Sequence, residues 1–479
     1  MRKTKIICTL GPATDDEQVL RKMILAGMNV ARLNFSHGNY QEHFNRIATI
    51  KRLREELDVP LGILLDTKGP EIRIKTFESG YATIQTGMRF TLTTDEIEGT
   101  NDKVSVTYIH LPQDLVIGTR LLIDDGLIAF IVEELTDTDV ICRALNDGII
   151  GNRKSINIPG VKINLPYVSP QDKNDLLFGI DNGVDFIAAS FCRSAKDMQE
   201  IKAILAENNA NIDLIAKIEN LDGVENIDEI LLEVDGIMVA RGDLGVEIEF
   251  DELPSIQKML INKCLCAGKR VITATQMLET MIHNPRPTRA ETSDVANAVY
   301  DGTSAIMLSG ETSIGKYPVD TVSTMSNIAM KAENAINYKE RFKSSSYAEQ
   351  VGRITKAIAH ATCTIAHDLD AAAILAFTSS GFTSKVVSSF RPAVPILACT
   401  DHPEVIHRLS MSWGVLPVSC VHLESENDIF TLAPNCALSS GIADHGDTLV
   451  ITAGIPLGVS GTTNTVRVLT IGAEQSEKF

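Results

Sequence analysis

The sequence predicts an α/β chain built as an eightfold β/α (TIM) barrel with an inserted β-barrel lid domain and a C-terminal α/β domain. Three observations predict this. Eight short apolar runs rich in β-branched residues recur at 5–10, 29–35, 61–66, 185–191, 213–219, 236–241, 270–275 and 304–308. Most lie about 24 to 34 residues apart, the length of one strand, one helix and two loops in a parallel βαβ unit. One interval, 70–168, breaks that spacing; it is rich in Thr, Asp and Gly and carries alternating strings such as DKVSVTYI and TDVICRAL, so it reads as an all-β insertion. Without it, segments 1–69 and 169–341 hold about 240 residues, near the ~250 of an eightfold barrel. Even spacing of eight parallel strands favours closure over an open doubly wound sheet. The remainder, 342–479, follows a polar junction (YKERFKSSSYAEQ), opens with a helix and alternates again through AAAILAFT, PILACT, GVLPVSC, DTLVITAG and TVRVLTIG.

Composition narrows the function. A chain of 479 residues exceeds what one core supports, about 250 to 300 residues, so several domains are expected. With 62 Asp plus Glu against 44 Lys plus Arg, the net charge is −18, a field that disfavours nucleic acid and anionic membrane as partners. An anionic substrate then needs a local cluster of cations. The cysteines are odd in number and scattered, with no CxxC pair, the usage of a reducing compartment. The opening apolar run is too short for a signal peptide, and no stretch approaches the ~18 apolar residues of a span. The expected location is cytoplasmic.

In such barrels the C-terminal strand ends carry the chemistry. Here the second run ends in Arg32, Asn34, Ser36 and His37, and the third in Asp66, Thr67 and Lys68. The fifth ends in Lys217 and Glu219, the sixth in Arg241 and Asp243, the seventh in Thr275 and Gln276, and the eighth in Ser309 and Glu311. Lys217 and Glu219 are spaced i, i+2 and so project to one face. Glu219 with Asp243 on the neighbouring strand suits a hard divalent cation such as Mg²⁺, which takes oxygen ligands and leaves positions to substrate phosphates. The lack of HxH or CxxC spacing argues against zinc. Arg32 and Arg73 have fork geometry suited to phosphate or carboxylate, and equally suited to neutralising Asp66. Asn34, Ser36, Asp66 and Thr67 could hold a monovalent cation or knit the barrel rim by hydrogen bonds. Gly242, before Asp243, lets backbone N–H groups approach a ligand and equally serves a tight turn. GETSIGK at 310–316 approaches a P-loop, but Tyr317 stands where Ser or Thr would ligate Mg²⁺, so the match is discounted.

The strings ARLNFSHG (31–38), LLDTKGPEIR (64–73), AKIEN (216–220), MVARGDLGVE (238–247), ITATQMLETM (272–281), NPRPTRAE (284–291) and MLSGETSIGKYP (307–318) resemble the pyruvate kinase family. The resemblance runs in order from KTKIICTLGP at the start to SGTTNT near the end. It implies the barrel, lid and C-terminal layout already read from spacing, and phosphoryl transfer from phosphoenolpyruvate to ADP, giving ATP and pyruvate. By position it implies that Arg32 and Lys217 face phosphoenolpyruvate and that Glu219 and Asp243 ligate Mg²⁺ (or Mn²⁺). Gly242, Asp243 and Thr275 match the carboxylate pocket. Asn34, Ser36, Asp66 and Thr67 match the K⁺ site, and Glu71 matches the residue found in K⁺-dependent members. Asn34, His37, Arg73 and Lys154 match positions that meet the nucleotide. Ser309 and Glu311 are candidates to relay a proton to a water held by Thr275. The turn Thr378, Ser379, Ser380, Gly381, Thr383 and Ser384 offers hydroxyls and N–H groups for a phosphate and resembles the family's effector loop, with Phe382 where members often carry Arg or Lys. A sugar phosphate or nucleotide is thus the expected class of effector, and a homotetramer the expected assembly. An aldolase that uses Lys217 in a Schiff base is the rival enzyme class, disfavoured because Glu219 keeps the lysine protonated. A phosphometabolite sensor without turnover is the rival outside catalysis.

Overall fold

The structure, a computed structural model, describes residues 1–344, 354–457 and 461–472. The second half of the polar junction, 345–353, Ser460 of the SGTTNT string and the end of the expected C-terminal domain, 473–479, lie outside the described residues.

Eight parallel strands close a barrel: β1 (Lys5–Thr9), β2 (Val30–Asn34), β3 (Gly62–Asp66), β4 (Phe186–Ala189), β5 (Asp213–Ile218), β6 (Gly236–Ala240), β7 (Arg270–Ala274) and β8 (Ala305–Leu308). Each pairs with the next in sequence and β8 pairs back with β1, as the eight runs predict. The helices between them start and stop on local signals. Asp16 accepts from Gln18 N at the head of the helix Glu17–Ala26, and Gly27 ends it at φ 119°, a left-handed conformation that glycine adopts without a Cβ penalty. Ser169 with Asp172, and Thr288 with Glu291, form reciprocal caps on Pro170–Asp181 and Arg289–Asp301, which satisfies first-turn N–H groups.

The period-2 alternation of the strands sorts side chains into two cores. Ile6, Cys8, Ile63, Leu65, Ile187 and Ala216 point outward to the helices. Ile7, Val30, Leu64, Phe186, Ala188, Ile215, Met238, Ile272 and Met307 fill the lumen. Met411, fully buried and far along the chain, joins the lumen core from below.

Between β3 and β4 the chain makes a seven-stranded sheet running in space from Ile72–Arg73 through Ser155–Asn157 and Arg120–Ile123 to Lys103–Ser105, with its own apolar cluster around Phe90, Phe130 and Ile123. The C-terminal sheet holds β9 (Ala373–Phe377), β10 (Ile396–Thr400), β11 (Val415–Ser419), β12 (Thr448–Gly454) and β13 (Thr463–Thr470), in the order β11-β10-β9-β12-β13 with β13 antiparallel. Pro417 lies in β11, the edge strand, where a missing N–H costs no ladder bond.

Charged side chains join the C-terminal sheet's helices to the barrel floor. The Asp213 carboxylate, at the start of β5, meets Arg270, Lys385 at 2.9 Å and Arg408 at 3.5 Å. Burial alone raises that carboxyl, but Lys385, Arg270 and Arg408 outweigh it and hold it well below the usual carboxylate range. A carboxylate whose folded pKa is depressed adds stability above its unfolded pKa and loses it as pH falls through the folded value. Asp213→Asn should therefore lower the melting temperature at neutral pH. Its deficit against the parent chain should persist down to about pH 4 and shrink only below it, which melting curves across acid pH will check.

Candidate active site

The side chains at the barrel mouth continue the lumen columns. Arg32 follows Val30, Asp66 follows Leu64, Ser190 follows Ala188, and Lys217 and Glu219 follow Ile215, each at an even step, so all five point to one space. Lys217, 8% exposed, places Nζ 3.0 Å from Asp66 Oδ1, 3.0 Å from Glu219 Oε1 and 2.6 Å from Ser190 Oγ. Arg32 donates from Nε to Asp66 Oδ2 at 2.6 Å and from Nη1 to Thr9 Oγ1 at 2.8 Å. Burial works against the Lys217 ammonium, but Asp66 and Glu219 outweigh it and raise its pKa above the ordinary lysine value. Burial likewise works against the Asp66 carboxylate, and Arg32 and Lys217 hold it below its ordinary value. The cluster is a charged network, not a neutral one.

Glu219 also accepts from Phe191 N at 2.6 Å. The Asp243 side chain, on the short helix Arg241–Glu247 after β6, hydrogen-bonds to that of Glu219. Burial is the first cause that raises both carboxyls; Asp243 adds to it at Glu219, and Asp125 and Glu71 add to it at Asp243. Two neighbouring buried carboxyls, each opposed in its charged form, fit a divalent cation in donor type and charge. Among the described residues no group of three or more His, Cys, Asp or Glu side chains is arranged to hold a metal.

Asn34 and Asp66 are direct register partners on β2 and β3. Asn34 Oδ1 accepts from Ser36 N at 3.1 Å, and Thr67 accepts from Ser190 N at its hydroxyl and from Ser190 Oγ at its carbonyl. The four oxygen donors Asn34, Ser36, Asp66 and Thr67 thus sit on two adjoining strand ends. A cleft continues outward, lined by His37, Glu71, Arg73, Asp124, Asp125, Lys154, Arg193 and Asp243 among others. Glu71 grips Arg73 with both oxygens, at 2.6 and 2.7 Å, and Lys154 pairs with Asp124 at 2.8 Å. The inserted sheet reaches the barrel here: Asn157 Nδ2 donates to Glu247 Oε1 at 2.9 Å.

Thr275 and Gln276 both hold left-handed backbone, at φ 69° and 53°, strain of a kind that clusters at functional sites. Thr275 Oγ1 accepts from Gly242 N at 2.8 Å and donates to Ala274 O at 2.6 Å, which seats the hydroxyl against the Gly242 turn. Glu311 is fully buried, and its oxygens accept from the backbone N of Ser309 and of Leu278. It braces the turn after β8. Ser309 Oγ is buried with no hydrogen-bond partner.

The hydroxyl turn of the C-terminal sheet opens the helix Phe382–Ser389 beside a second cavity, lined by Thr378, Ser379, Ser380, Thr383, Asp401, His402 and His422 among others. Thr378 Oγ1 accepts from Gly381 N and Thr383 bonds Thr463, while Ser384 is wholly buried with its Oγ unpartnered. No Lys or Arg lines this cavity among the described residues.

Ser190 is the member of the mouth network that the strand-end reading passed over. It stands one residue before the end of the fourth run, a strand from which no candidate is drawn, and the rule that flags Lys217 flags it as well. Arg193, which lines the cleft and holds the carbonyls of Ile163 and Leu165, carries no comparable sequence signal.

A lysine and an arginine kept charged beside paired carboxylates, at the C-terminal mouth of a parallel barrel, define a barrel enzyme whose cleft takes an anionic substrate. Family models described as pyruvate kinase, barrel domain, and pyruvate kinase, alpha/beta domain, match residues 1–322 and 356–469. A pyruvate kinase of Geobacillus stearothermophilus is 48% identical over 98% of this chain and 80% of its own length. One from Clostridium acetobutylicum is 47% identical over 98% of this chain and 99% of its own. The crystal structure of a pyruvate kinase from Cryptosporidium parvum superposes with a TM-score of 0.92 at 39% identity, covering 98% of this chain and 96% of that one. The chain belongs to the pyruvate kinase family and is a phosphotransferase.

Ser190→Ala removes the hydroxyl between Lys217 and Asp66. Loss of such a supporting partner costs about 10- to 100-fold in activity or ligand affinity, and steady-state turnover with the fold checked by melting will measure it.

Proposed function

We propose that the chain transfers the phosphoryl group of phosphoenolpyruvate to ADP, giving ATP and pyruvate as in the last step of glycolysis, with Mg²⁺ (or Mn²⁺) and K⁺. The observation that carries this reading is the Lys217 ammonium held charged between Asp66 and Glu219, with Arg32 beside it. Phosphoryl transfer needs positioning and charge neutralisation more than covalent help. Lys217 and Arg32 are the fixed cations that would meet the phosphoryl oxygens, and a raised pKa keeps Lys217 from serving as a Schiff-base amine. Glu219 and Asp243 would hold the divalent cation, and Asn34, Ser36, Asp66 and Thr67 the potassium ion. When bound, these ions supply further neutralisation of phosphoryl charge. Thr275, with Gly242 N and Asp243, would seat the substrate carboxylate, and its hydroxyl would orient the water that protonates the enol. Asn34, His37, Arg73 and Lys154 would meet the nucleotide, with Glu71 fixing the Arg73 fork.

In this reading segments 1–69 and 169–341 are the catalytic barrel. Segment 70–168 is a lid whose closure excludes water and so suppresses hydrolysis. Segment 342–479 is the regulatory unit, with Thr378, Ser379, Ser380, Gly381, Thr383 and Ser384 as the phosphate-binding turn for a sugar-phosphate or nucleotide activator. The active form is a homotetramer in the cytoplasm.

A coupled assay with phosphoenolpyruvate and ADP should show turnover that requires Mg²⁺ or Mn²⁺ and rises when K⁺ replaces Na⁺; equal rates in the two salts would reject the monovalent-cation assignment. Glu71→Lys should give turnover indifferent to that exchange. Adding sugar monophosphates and nucleoside monophosphates singly should lower the half-saturating phosphoenolpyruvate concentration for at least one of them, and no response to any would reject the regulatory assignment.

A further inference from the structure

We infer that Arg241 is the positioning residue for the Thr275 hydroxyl: anchored on Asp294, its guanidinium clamps the left-handed turn that carries Thr275 and so governs protonation of the enol. The inference rests on the role proposed above for Thr275.

Register brings the two residues together. Ala240 and Ala274, the last residues of β6 and β7, are register partners, so Arg241 and Thr275 leave the barrel side by side. Arg241 turns at once into the short helix Arg241–Glu247, while Thr275 and Gln276 take left-handed backbone. A β-branched residue rarely adopts that conformation, and it persists only where its surroundings over-determine it.

Arg241 holds Thr275 there through the two carbonyls that flank its Cα. Nε donates to Ala274 O at 3.2 Å and Nη2 to Thr275 O at 2.6 Å. These carbonyls belong to the planar peptide units on either side of Thr275, whose relative orientation is set by that residue's φ and ψ, so one rigid guanidinium restrains both angles. The next backbone group completes the clamp: Gly242 N donates to Thr275 Oγ1 at 2.8 Å, and the hydroxyl follows the turn.

The rest of the fork is committed as well. Nη1 donates to both oxygens of Asp294, at 2.8 and 2.7 Å, and Nη2 also meets Met277 Sδ. All five N–H donors of the arginine are spent on the protein, its side chain is 9% exposed, and it does not line the cleft. It therefore acts on a substrate only through the turn. Asp294 stands on the helix Arg289–Asp301, whose Glu291 accepts from Thr280 N at 2.7 Å, so this helix grips the loop after β7 directly as well as through the arginine. A lysine, a single point charge on a flexible stem, cannot span two carbonyls and a carboxylate at once.

The step can be followed in reverse. A methyl C–H bond of pyruvate breaks, its proton passes to the water held by the Thr275 hydroxyl, and its electron pair forms the enolate; a deuteron from the solvent then makes the new C–D bond. The folded full-length chain with pyruvate, ATP, Mg²⁺ and K⁺ in D₂O should exchange the methyl protons, read by proton NMR. Arg241→Lys should slow that exchange about 100-fold, the cost of a misplacement of about 1 Å, with the fold checked by melting. Thr275→Val, which keeps the shape and loses the hydroxyl, should slow it too, and the double variant should be no slower than the slower single, because residues that act through one another are not additive. Asp294→Asn, which keeps the arginine and weakens its anchor, should slow exchange by a smaller factor and likewise add nothing to Thr275→Val; it carries the test where Arg241→Lys does not fold. Parent-like exchange in the Arg241 and Asp294 variants, losses that multiply in the double variants, or a parent-like rate in Thr275→Val overturns the inference. A parent chain that makes no ATP from phosphoenolpyruvate and ADP in the coupled assay rejects the proposed function itself, and the inference with it.

Discussion

An ammonium group cannot remain charged in the mouth of a barrel unless carboxylates stand against it, and that requirement organises this molecule's centre. Lys217 is almost wholly buried, yet Asp66 and Glu219 each lie 3.0 Å from its Nζ. Removing one partner of such a buried set leaves an uncompensated charge at a cost of about 3–5 kcal/mol. Asp66 is shared, because its second oxygen binds Arg32. Strands β2, β3 and β5 are therefore tied together at their upper ends by charge as well as by the backbone ladder, and Ser190 on the β4 extension closes the remaining gap. A slip of one residue in any of these strands would turn its charged group out of the lumen and toward the helices.

The same alternation that aims these groups upward aims others at the floor. Asp213, Ile215 and Lys217 occupy one inward column of β5, the first and last of them separated by four residues, about 13 Å of strand. Asp213 is held by Lys385 and Arg408 from helices of the C-terminal sheet, and Met411 from the same region fills the lumen core. The column thus begins on the C-terminal domain and ends on the Lys217 ammonium at the barrel mouth. In a β/α barrel, polar residues at the lower end serve stability and those at the upper end serve chemistry; here one strand carries a buried charged group at each end.

How much of this was legible in the sequence follows from the range of each interaction. The barrel was legible because strand spacing and alternation are local and repeat eight times. Lys217 with Glu219 was legible because an i, i+2 pair shares a face whatever the fold. Asn34 beside Asp66 needed only the adjacency of consecutive strands. Ser190 obeys the same rule, but a serine carries no charge to draw attention in an apolar run. The floor was not legible, since Asp213 finds partners 172 and 195 residues away, and no pattern encodes pairing across the domain boundary. Glu311 shows the opposite limit. Its place at a strand end reads as chemistry, whereas its oxygens are taken by backbone N–H groups, a use of a carboxylate that sequence does not distinguish from a catalytic one.

The chain's acidity gains a specific meaning at the cleft. Glu71, Asp124, Asp125, Asp222, Asp243 and Glu247 line it against Arg73, Lys154 and Arg193, and all three cations are already paired, Arg73 with Glu71, Lys154 with Asp124 and Arg193 with Asp197. A bare polyphosphate approaching this wall meets net negative charge inside a molecule of net charge −18, and low-dielectric walls concentrate that field. The deeper cluster differs in burial, not in pairing: Arg32 and Lys217 are almost wholly buried and are bound to Asp66 and Glu219. A wall of that sign opposes a bare anion and opposes less one that carries its own counter-cation, and Arg32 and Lys217 lie deeper than this wall. The acidic composition that first counted against an anionic substrate is thus expressed at the cleft itself.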